Sequence, residues 1–301
     1  MPMLNLSIII VNYNTKALTL DCLASIFNNK WNLKLETWLV DNASTDSSVS
    51  EIRKKYPQVK IIESATNLGF AEGHNLALKK AYKNSSYCFL LNSDTRLHKG
   101  SLDNLVDFAN KNGLDIASCK LEDVNGNLQP NTGALPTFLP LMVWLSGLDD
   151  ILRNVARIPS YQEMDRKVYT KPFNSGWVSG TAMLIRCDTF DKIGFLDGKI
   201  FMYAEDVDYC WRANKAGLKV GWTNAATITH LGGGSQKEVK YSQWLGEFRG
   251  LLYLYKKHYG NRARFVLKMF FYFFISLRVL AFFLLGKFGY AKAYAKILRE
   301  I

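Results

Sequence analysis

Four short apolar runs limit what this chain can fold into more than any other feature of it. They are Leu6–Asn12, Leu35–Val40, Val59–Glu63 and Tyr87–Leu91, set roughly 20 to 30 residues apart. The first, Leu-Ser-Ile-Ile-Ile-Val-Asn, is apolar nearly throughout instead of alternating, the pattern of a parallel strand buried on both faces. Helix-compatible stretches separate the runs. One covers Lys16 to Asn28. A second opens after Asp41-Asn42-Ala43-Ser44-Thr45-Asp46, whose polar residues suit a turn and an N-cap. A third follows Asn67-Leu68-Gly69-Phe70-Ala71-Glu72-Gly73-His74-Asn75 and runs through Tyr82. This alternation predicts an α/β fold, a doubly wound and mostly parallel sheet flanked by helices. Ligands of such sheets collect at the carboxyl ends of the strands, where Asn12, Asp41 and Asn92-Ser93-Asp94 fall.

The pattern changes further along. Ile116–Val124 and the run from Leu128 flank Asn125-Gly126, a strong hairpin turn signal. Residues 134–172 carry Pro136, Pro140, Pro159 and Pro172 without a clear period and read as an irregular insertion. Val178–Arg186 returns to strand character, and Ser179-Gly180-Thr181 within it marks a close backbone approach. A short helix is expected up to Lys215, then strand pieces at Leu218–Trp222 and Thr227–His230 and a flexible loop at Gly232-Gly233-Gly234-Ser235. No internal repeat is present.

With 301 residues and 48% hydrophobic content, the chain can bury a large core. Its five scattered cysteines form no Cys-x-x-Cys pair, which fits reduced thiols in a cytosolic compartment. No basic segment precedes Leu6, so no signal peptide is expected. The net charge of +12 is unevenly placed: residues 256–301 hold ten Lys/Arg against Glu300 alone. A basic bias confined to a tail rich in Phe and Leu points to an anionic membrane surface and not to nucleic acid. Phe265–Leu285 approaches the ~20 apolar residues a spanning helix needs, but Lys268 and Arg278 interrupt it. Arg264, Lys268 and Arg278 share one helical arc, and Lys292, Lys296 and Arg299 repeat at i, i+4, i+7. That is the pattern of an in-plane amphipathic anchor, with a packed helical hairpin as the other possibility. The expected organisation is therefore a catalytic domain over 1–235, a helical extension over 236–264 and membrane-associating helices over 265–301.

Candidate chemistry concentrates at Phe201-Met-Tyr-Ala-Glu-Asp-Val-Asp208, three acids straight after an aromatic run. Asp208 and Arg212 stand at i, i+4 and suit an ion pair. Glu205 and Asp206 lie in a first helical turn, where the dipole favours anions. An apolar wall at Phe201-Met202-Tyr203 would desolvate a carboxylate and strengthen it as a base. Asp94 could ligate a divalent cation or cap the next helix, and Asp41 could cap a turn or accept a nucleobase or ribose hydrogen bond. His230, at a strand end beside glycines, is either structural or a nitrogen ligand suited to manganese. Trp177 and Ser179-Gly180 border an acceptor site or belong to the core.

These residues carry a resemblance. Ser7–Asn14, Val40–Asp46, Asn67–Phe70 with Gly73–Asn75, Leu90–Thr95, Val178–Arg186, Phe201–Asp208 and His230 together resemble the inverting family 2 glycosyltransferases of the GT-A fold, in particular their rhamnosyltransferase-like branch. The match covers residues 6–235 and not the tail beyond about 260. The resemblance implies that Asp206 is the catalytic base, and that Asp94 and His230 hold Mg2+ or Mn2+. It also implies that Tyr13, Asp41, Asn67, Asn75, Asn92 and Ser93 bind the nucleotide sugar. Asn92 stands where the family's metal motif carries its first acid. The implied reaction is inverting transfer of rhamnose or another hexose from a dTDP- or UDP-sugar to a glycan or lipid-linked acceptor in surface polysaccharide synthesis. The implied location is the cytoplasmic face of the membrane, with no nucleic-acid partner. A nucleotidyltransferase is the alternative enzyme, although Asn12-Tyr13-Asn14-Thr15-Lys16 lacks a Gly-rich triphosphate loop. A non-catalytic, nucleotide-binding membrane protein is the other.

Overall fold

The computed structural model describes residues 4–148, 158–232 and 241–301. Two compact units emerge, one of Met1–Leu135, Gln162–Phe201 and Glu205–Gly234, the other of Pro136–Tyr161, Met202–Ala204 and Ser235–Ile301.

The first unit is built on a sheet whose leading strands are the four apolar runs: β1 (Leu4–Asn12), β2 (Leu35–Asp41), β3 (Lys60–Glu63) and β4 (Ser85–Asn92). They lie parallel in the order β3-β2-β1-β4. One face of this sheet, with Ile8, Ile10, Leu39 and Phe89, packs with Leu23 and Ile26 of α1 (Lys16–Phe27) and with Leu105 and Ala109 of α4 (Ser101–Asn112). Ile9 and Leu90 on the opposite face are equally buried, so β1 and β4 are apolar on both sides, as their sequences require. Each such side chain contributes about 1.5–3 kcal/mol by leaving water. Two further helices, α2 (Ser48–Lys55) and α3 (Gly69–Ala81), complete the β-α alternation.

Beyond β4 the sheet becomes mixed. β11 (Ala182–Arg186), which the short helix α6 (Asp188–Ile193) follows, is antiparallel to β4 and to β6 (Ile116–Glu122), while β12 (Val220–His230) runs parallel to β6 and antiparallel to β9 (Phe173–Asn174). The edge strand β5 (Thr95–Leu97) pairs antiparallel with β12, setting His230 opposite Thr95. Asn125-Gly126 makes the hairpin expected of it. Gly126 takes a φ of +78°, and β7 (Leu128–Gln129) folds back on β6.

Three sequence expectations change. Val178–Arg186 is not one strand, because the chain leaves the main sheet at Ser179–Thr181. Trp177–Val178 (β10) pairs instead with Thr132–Gly133 (β8) in a separate ribbon. Leu218–Trp222 and Thr227–His230 are one strand, β12, with an irregularity between Thr223 and Thr227 where its register against β6 shifts. The stretch after Leu135 contains a helix, α5 (Phe138–Ser146). Its sequence, Phe-Leu-Pro-Leu-Met-Val-Trp-Leu-Ser, has almost no polar residue to mark a period, and Pro140 sits in the first turn, where a missing N–H costs nothing. The predicted loop at Gly232–Ser235 lies beyond the described residues after Gly232.

In the second unit α8 (Tyr241–Tyr259), α9 (Asn261–Leu284) and α10 (Phe288–Glu300) pack together with α5. Phe248 meets Phe271 edge-on at 4.8 Å, and Trp244 stacks on Tyr294 at 4.9 Å. Arg278, which interrupts the apolar run of α9, turns inward. Its guanidinium donates to the carbonyls of Trp144 and Leu145 (3.3 and 3.2 Å) at the end of α5, where a cation offsets the helix dipole. α9 is long and apolar enough to cross a membrane by length and composition. Only Leu267, Phe271 and Ile275 of its residues are buried. Phe265, Met269, Phe273, Leu277, Leu280 and Leu284 form an exposed stripe on the other side.

Candidate active site at the carboxyl ends of the strands

Register brings the polar strand ends together. Asn12 pairs with Asp41 across β1 and β2, and Val11 with Asn92 across β1 and β4. Asn12 is wholly buried and organises this end. Its two Nδ2 protons are shared among Asp41 Oδ1 (2.7 Å), Ser48 Oγ (2.8 Å) and Ser44 Oγ (3.0 Å). Its Oδ1 accepts from the Thr15 and Thr19 hydroxyls, each at 2.8 Å. Thr15 Oγ1 in turn lies 3.1 Å from Ser93 Oγ. One buried network therefore joins Asp41, the β1 end and Ser93, and a fully satisfied network of this kind holds its members in one arrangement. Asn14, Ala43 and Ser47, all in the two loops beside it, take left-handed φ values of 53–63°, the kind of local strain that clusters at functional sites. Tyr13 stands 48% exposed at the rim.

Several of the residues expected to contact nucleotide have defined structural tasks. Asp41 is buried and accepts the Ser44 N–H (2.9 Å), which caps the turn after β2. Asn67 Oδ1 accepts the Gly69 N–H (2.9 Å) at the start of α3. Asn75 is buried and exchanges hydrogen bonds with the Leu196 backbone, Nδ2 to the carbonyl at 2.9 Å and Oδ1 from the N–H at 3.2 Å. Its side chain is thus committed to holding the segment at Leu196. The ring of its neighbour His74 lies tilted against Phe70, centroids 4.1 Å apart, and burial lowers its pKa to about 4.

The β5–β12 pairing sets Asp94 beside His230, with Oδ1 and Nε2 3.4 Å apart and both side chains mostly buried. The Leu231 N–H donates to the Asp94 carbonyl (2.7 Å). Gly232 leaves the space around the pair open, since a Cβ there would stand 1.9 Å from Asp94 Oδ2 and 2.8 Å from His230 Nε2. One carboxylate and one imidazole nitrogen at this separation are a donor set that would suit a divalent cation. Among the described residues no group of three or more His, Cys, Asp or Glu is gathered for a metal. Sequence reasoning missed Gln129, whose Oε1 lies 2.8 Å from His230 Nδ1. Only the hairpin register places it there, and no local signal marks it.

The acids separate as the sequence suggested. Asp208, fully buried, pairs with Arg212 (Oδ2 to Nε, 2.8 Å), and Arg212 also donates to the carbonyls of Ile193 and Phe195. Glu205 and Asp206 open α7 (Glu205–Lys215), directly after Tyr203 and Ala204, whose φ values of 71° and 78° are left-handed. Burial raises the pKa of Asp206. Burial first, then the charge of Asp206, raises that of Glu205 well above the usual carboxylate range. Phe201 and Met202, at 56% and 44% exposed, face solvent and do not form the expected wall. Asp206 is held by two backbone donors instead, Gly180 N–H to Oδ2 (2.9 Å) and Val207 N–H to Oδ1 (2.8 Å). Gly180 is the close approach anticipated at Ser179–Thr181: a Cβ would meet the Phe70 ring at 2.9 Å. One residue on, the Thr181 carbonyl accepts the Asn92 N–H at 2.9 Å. Trp177 is buried in β10.

Comparison with known proteins agrees with this architecture. An L-rhamnosyltransferase of Mycobacterium tuberculosis, acting on N-acetylglucosaminyl-diphospho-decaprenol, is 26% identical over 206 residues, 64% of this chain and 65% of its own length. The chain thus spans just under two thirds of that relative. Among solved structures, the Pyrobaculum calidifontis mannosyltransferase PcManGT with GDP-Man and Mn2+ superposes with a TM-score of 0.58. The identity is 17%, over 85% of this chain and 64% of that one. TarS of S. aureus with UDP-GlcNAc gives a TM-score of 0.53 at 20% identity, over 83% and 66%. Both share the GT-A fold found here. The sequence pattern of glycosyl transferase family 2 matches residues 7–194, the stretch that supplies the strand ends, the Asp94 loop and the Ser179–Thr181 crossing, and the chain belongs to that family.

Proposed function

We propose that this chain is an inverting glycosyltransferase. It moves rhamnose or another hexose from a dTDP- or UDP-sugar to a hydroxyl of a glycan or lipid-linked saccharide in surface polysaccharide synthesis. One observation carries the reading. The segment Ser179–Thr181 donates to Asp206 from Gly180 and accepts from Asn92 at Thr181, which ties the proposed base to the strand end bearing Asp94. Asp206 takes the proton from the acceptor hydroxyl. Its two backbone donors fix both carboxylate oxygens in place, and burial increases its affinity for that proton. A single base with no second carboxylate acting as nucleophile gives one displacement and inversion. Asp94 and His230 would hold Mg2+ or Mn2+, which when bound neutralises charge on the departing diphosphate. Tyr13, Asp41 and the Asn12-centred network would shape the nucleotide pocket, with Asn92 and Ser93 beside the diphosphate. Asn67 and Asn75 would act by holding the loops around it. The similarity to a relative acting on a diphosphopolyprenol supports a lipid-linked acceptor and dTDP-rhamnose as the first donor to try.

The exposed stripe of α9 supports peripheral attachment at the cytoplasmic face of an anionic membrane, with α9 in the plane, because Arg278 and the buried Leu267, Phe271 and Ile275 engage its other side. Family membership sets aside the nucleotidyltransferase alternative. Asp206→Asn separates catalysis from simple nucleotide binding. Thermal stabilisation by UDP or dTDP with Mn2+ should persist in this variant while nucleoside diphosphate release with a lipid-linked acceptor extract falls by about 100-fold or more. Undiminished release would remove Asp206 from the mechanism.

A further inference from the structure

We infer that Gln129 is a positioning residue for the proposed cation site, which fixes the His230 ring so that Nε2 is the nitrogen presented to the ion. The inference rests on the reading of Asp94 and His230 given above. Gln129 makes two contacts with the same residue: its Nε2 is 3.1 Å from the His230 carbonyl, and its Oε1 is 2.8 Å from His230 Nδ1. A backbone carbonyl can only accept a hydrogen bond, so the amide NH2 must face it. The Gln129 oxygen is thereby turned toward the imidazole, and an amide oxygen can only accept. Nδ1 must then carry a proton, and whatever stands at Nε2 meets a ring whose other nitrogen is already committed.

The direction of that commitment matters. Nε2 is the nitrogen that faces Asp94 Oδ1 at 3.4 Å across the space kept open by Gly232. Two electron-pair donors at this separation repel each other unless a proton or a cation lies between them. A metal-bound histidine ordinarily donates its remaining N–H to an acceptor that sets the ring's orientation and raises its basicity. Gln129 supplies that acceptor. It reaches the site through geometry decided far away in sequence: the Asn125-Gly126 turn returns β7 along β6, with Leu121 opposite Gln129, while β6 runs beside β12. A side chain on a two-residue strand is thereby held against the end of β12.

The test uses the full chain. In 15N-histidine NMR spectra of the wild type with Mg2+ and UDP or dTDP, His230, one of four histidines, should show a protonated Nδ1 and an unprotonated Nε2. The opposite tautomer overturns the inference without need of any variant. Mn2+ affinity, read by the electron paramagnetic resonance of free Mn2+ with the same nucleotides, should weaken about 10- to 100-fold in Gln129→Met. Gln129→Glu, which keeps the acceptor for Nδ1–H, should recover much of that loss. Asp94→Asn and His230→Ala distinguish the two levels of the argument. If neither changes Mn2+ affinity, the cation site itself is wrong and the inference falls with it. If both weaken it and Gln129→Met does not, only the role of Gln129 is refuted.

Discussion

Gly232→Ala is the sharpest perturbation of the proposed cation site, because it adds one carbon and removes no ligand. The new Cβ would stand 1.9 Å from Asp94 Oδ2, whereas ordinary contact begins near 3.4 Å, so the carboxylate must retreat by about 1.5 Å. Gly232 does not occupy the left-handed region, so its backbone accepts alanine, and the atom that yields is the far end of a side chain. Asp94 and His230 are both mostly buried, so crowding them should cost about 1–3 kcal/mol of stability, too little to unfold the chain. Function should not be spared. A displacement on the order of 1 Å at a reacting centre costs roughly 100-fold in rate, about 2.7 kcal/mol of transition-state stabilisation. The assay is nucleoside diphosphate release with the donor found for the wild type, run beside a melting curve and a Mn2+ titration. The expected result is a modestly lowered Tm, a variant still folded at the assay temperature, and turnover and Mn2+ affinity both depressed. A variant that keeps wild-type turnover and metal response would show that Asp94 and His230 do not meet at an ion, and the reasoning from their 3.4 Å approach would be refuted.

Other perturbations probe the supports of the site. Arg212→Ala removes the 2.8 Å ion-pair contact to the fully buried Asp208 and should destabilise the fold by about 3–5 kcal/mol, seen as a lowered Tm. Arg212→Lys should restore only part of it, since a lysine cannot also reach the Ile193 and Phe195 carbonyls in fork geometry. Burial raises the pKa of Glu205 above its ordinary 4.5, so the stability this group contributes is complete at low pH and is lost as pH rises through the folded-state value. The Tm of Glu205→Gln relative to the wild type should accordingly climb between pH 4 and pH 8, and a flat difference would contradict the assignment. Phe273→Glu with Leu280→Glu changes two exposed residues of the α9 stripe. It should leave the Tm unchanged while reducing co-sedimentation with phosphatidylserine-containing vesicles, and equal sedimentation would count against the membrane face.

The division between what the amino-acid sequence determined and what tertiary structure decided follows the range of the interactions involved. Local pattern was enough for the β-α alternation, because a run such as Ser-Ile-Ile-Ile-Val can only be buried on both faces. It was also enough for the Asn125-Gly126 turn, for the Asp208–Arg212 pair at i, i+4, and for the placement of Asp41 and Asp94 at strand ends. Where a segment lacks internal contrast, its sequence and its structure part. Phe138–Ser146 is too uniformly apolar to show a period, and Val178–Arg186 looks continuous although hydrogen bonds to Asn131 and Asp206 divide it. Phe201-Met202 resembled a desolvating wall, but its side chains face solvent, and the control of Asp206 passes to the backbone of Gly180. Only the folded chain could bring Asp94 to His230, because an antiparallel edge pairing between β5 and β12 joins them. Only the folded chain could turn Arg278 inward onto the end of α5 and leave an uninterrupted apolar stripe outside. Side-chain periodicity records which face of an element is dry. It carries no record of which strand lies next to which, and in this protein the strand neighbours decide the candidate site.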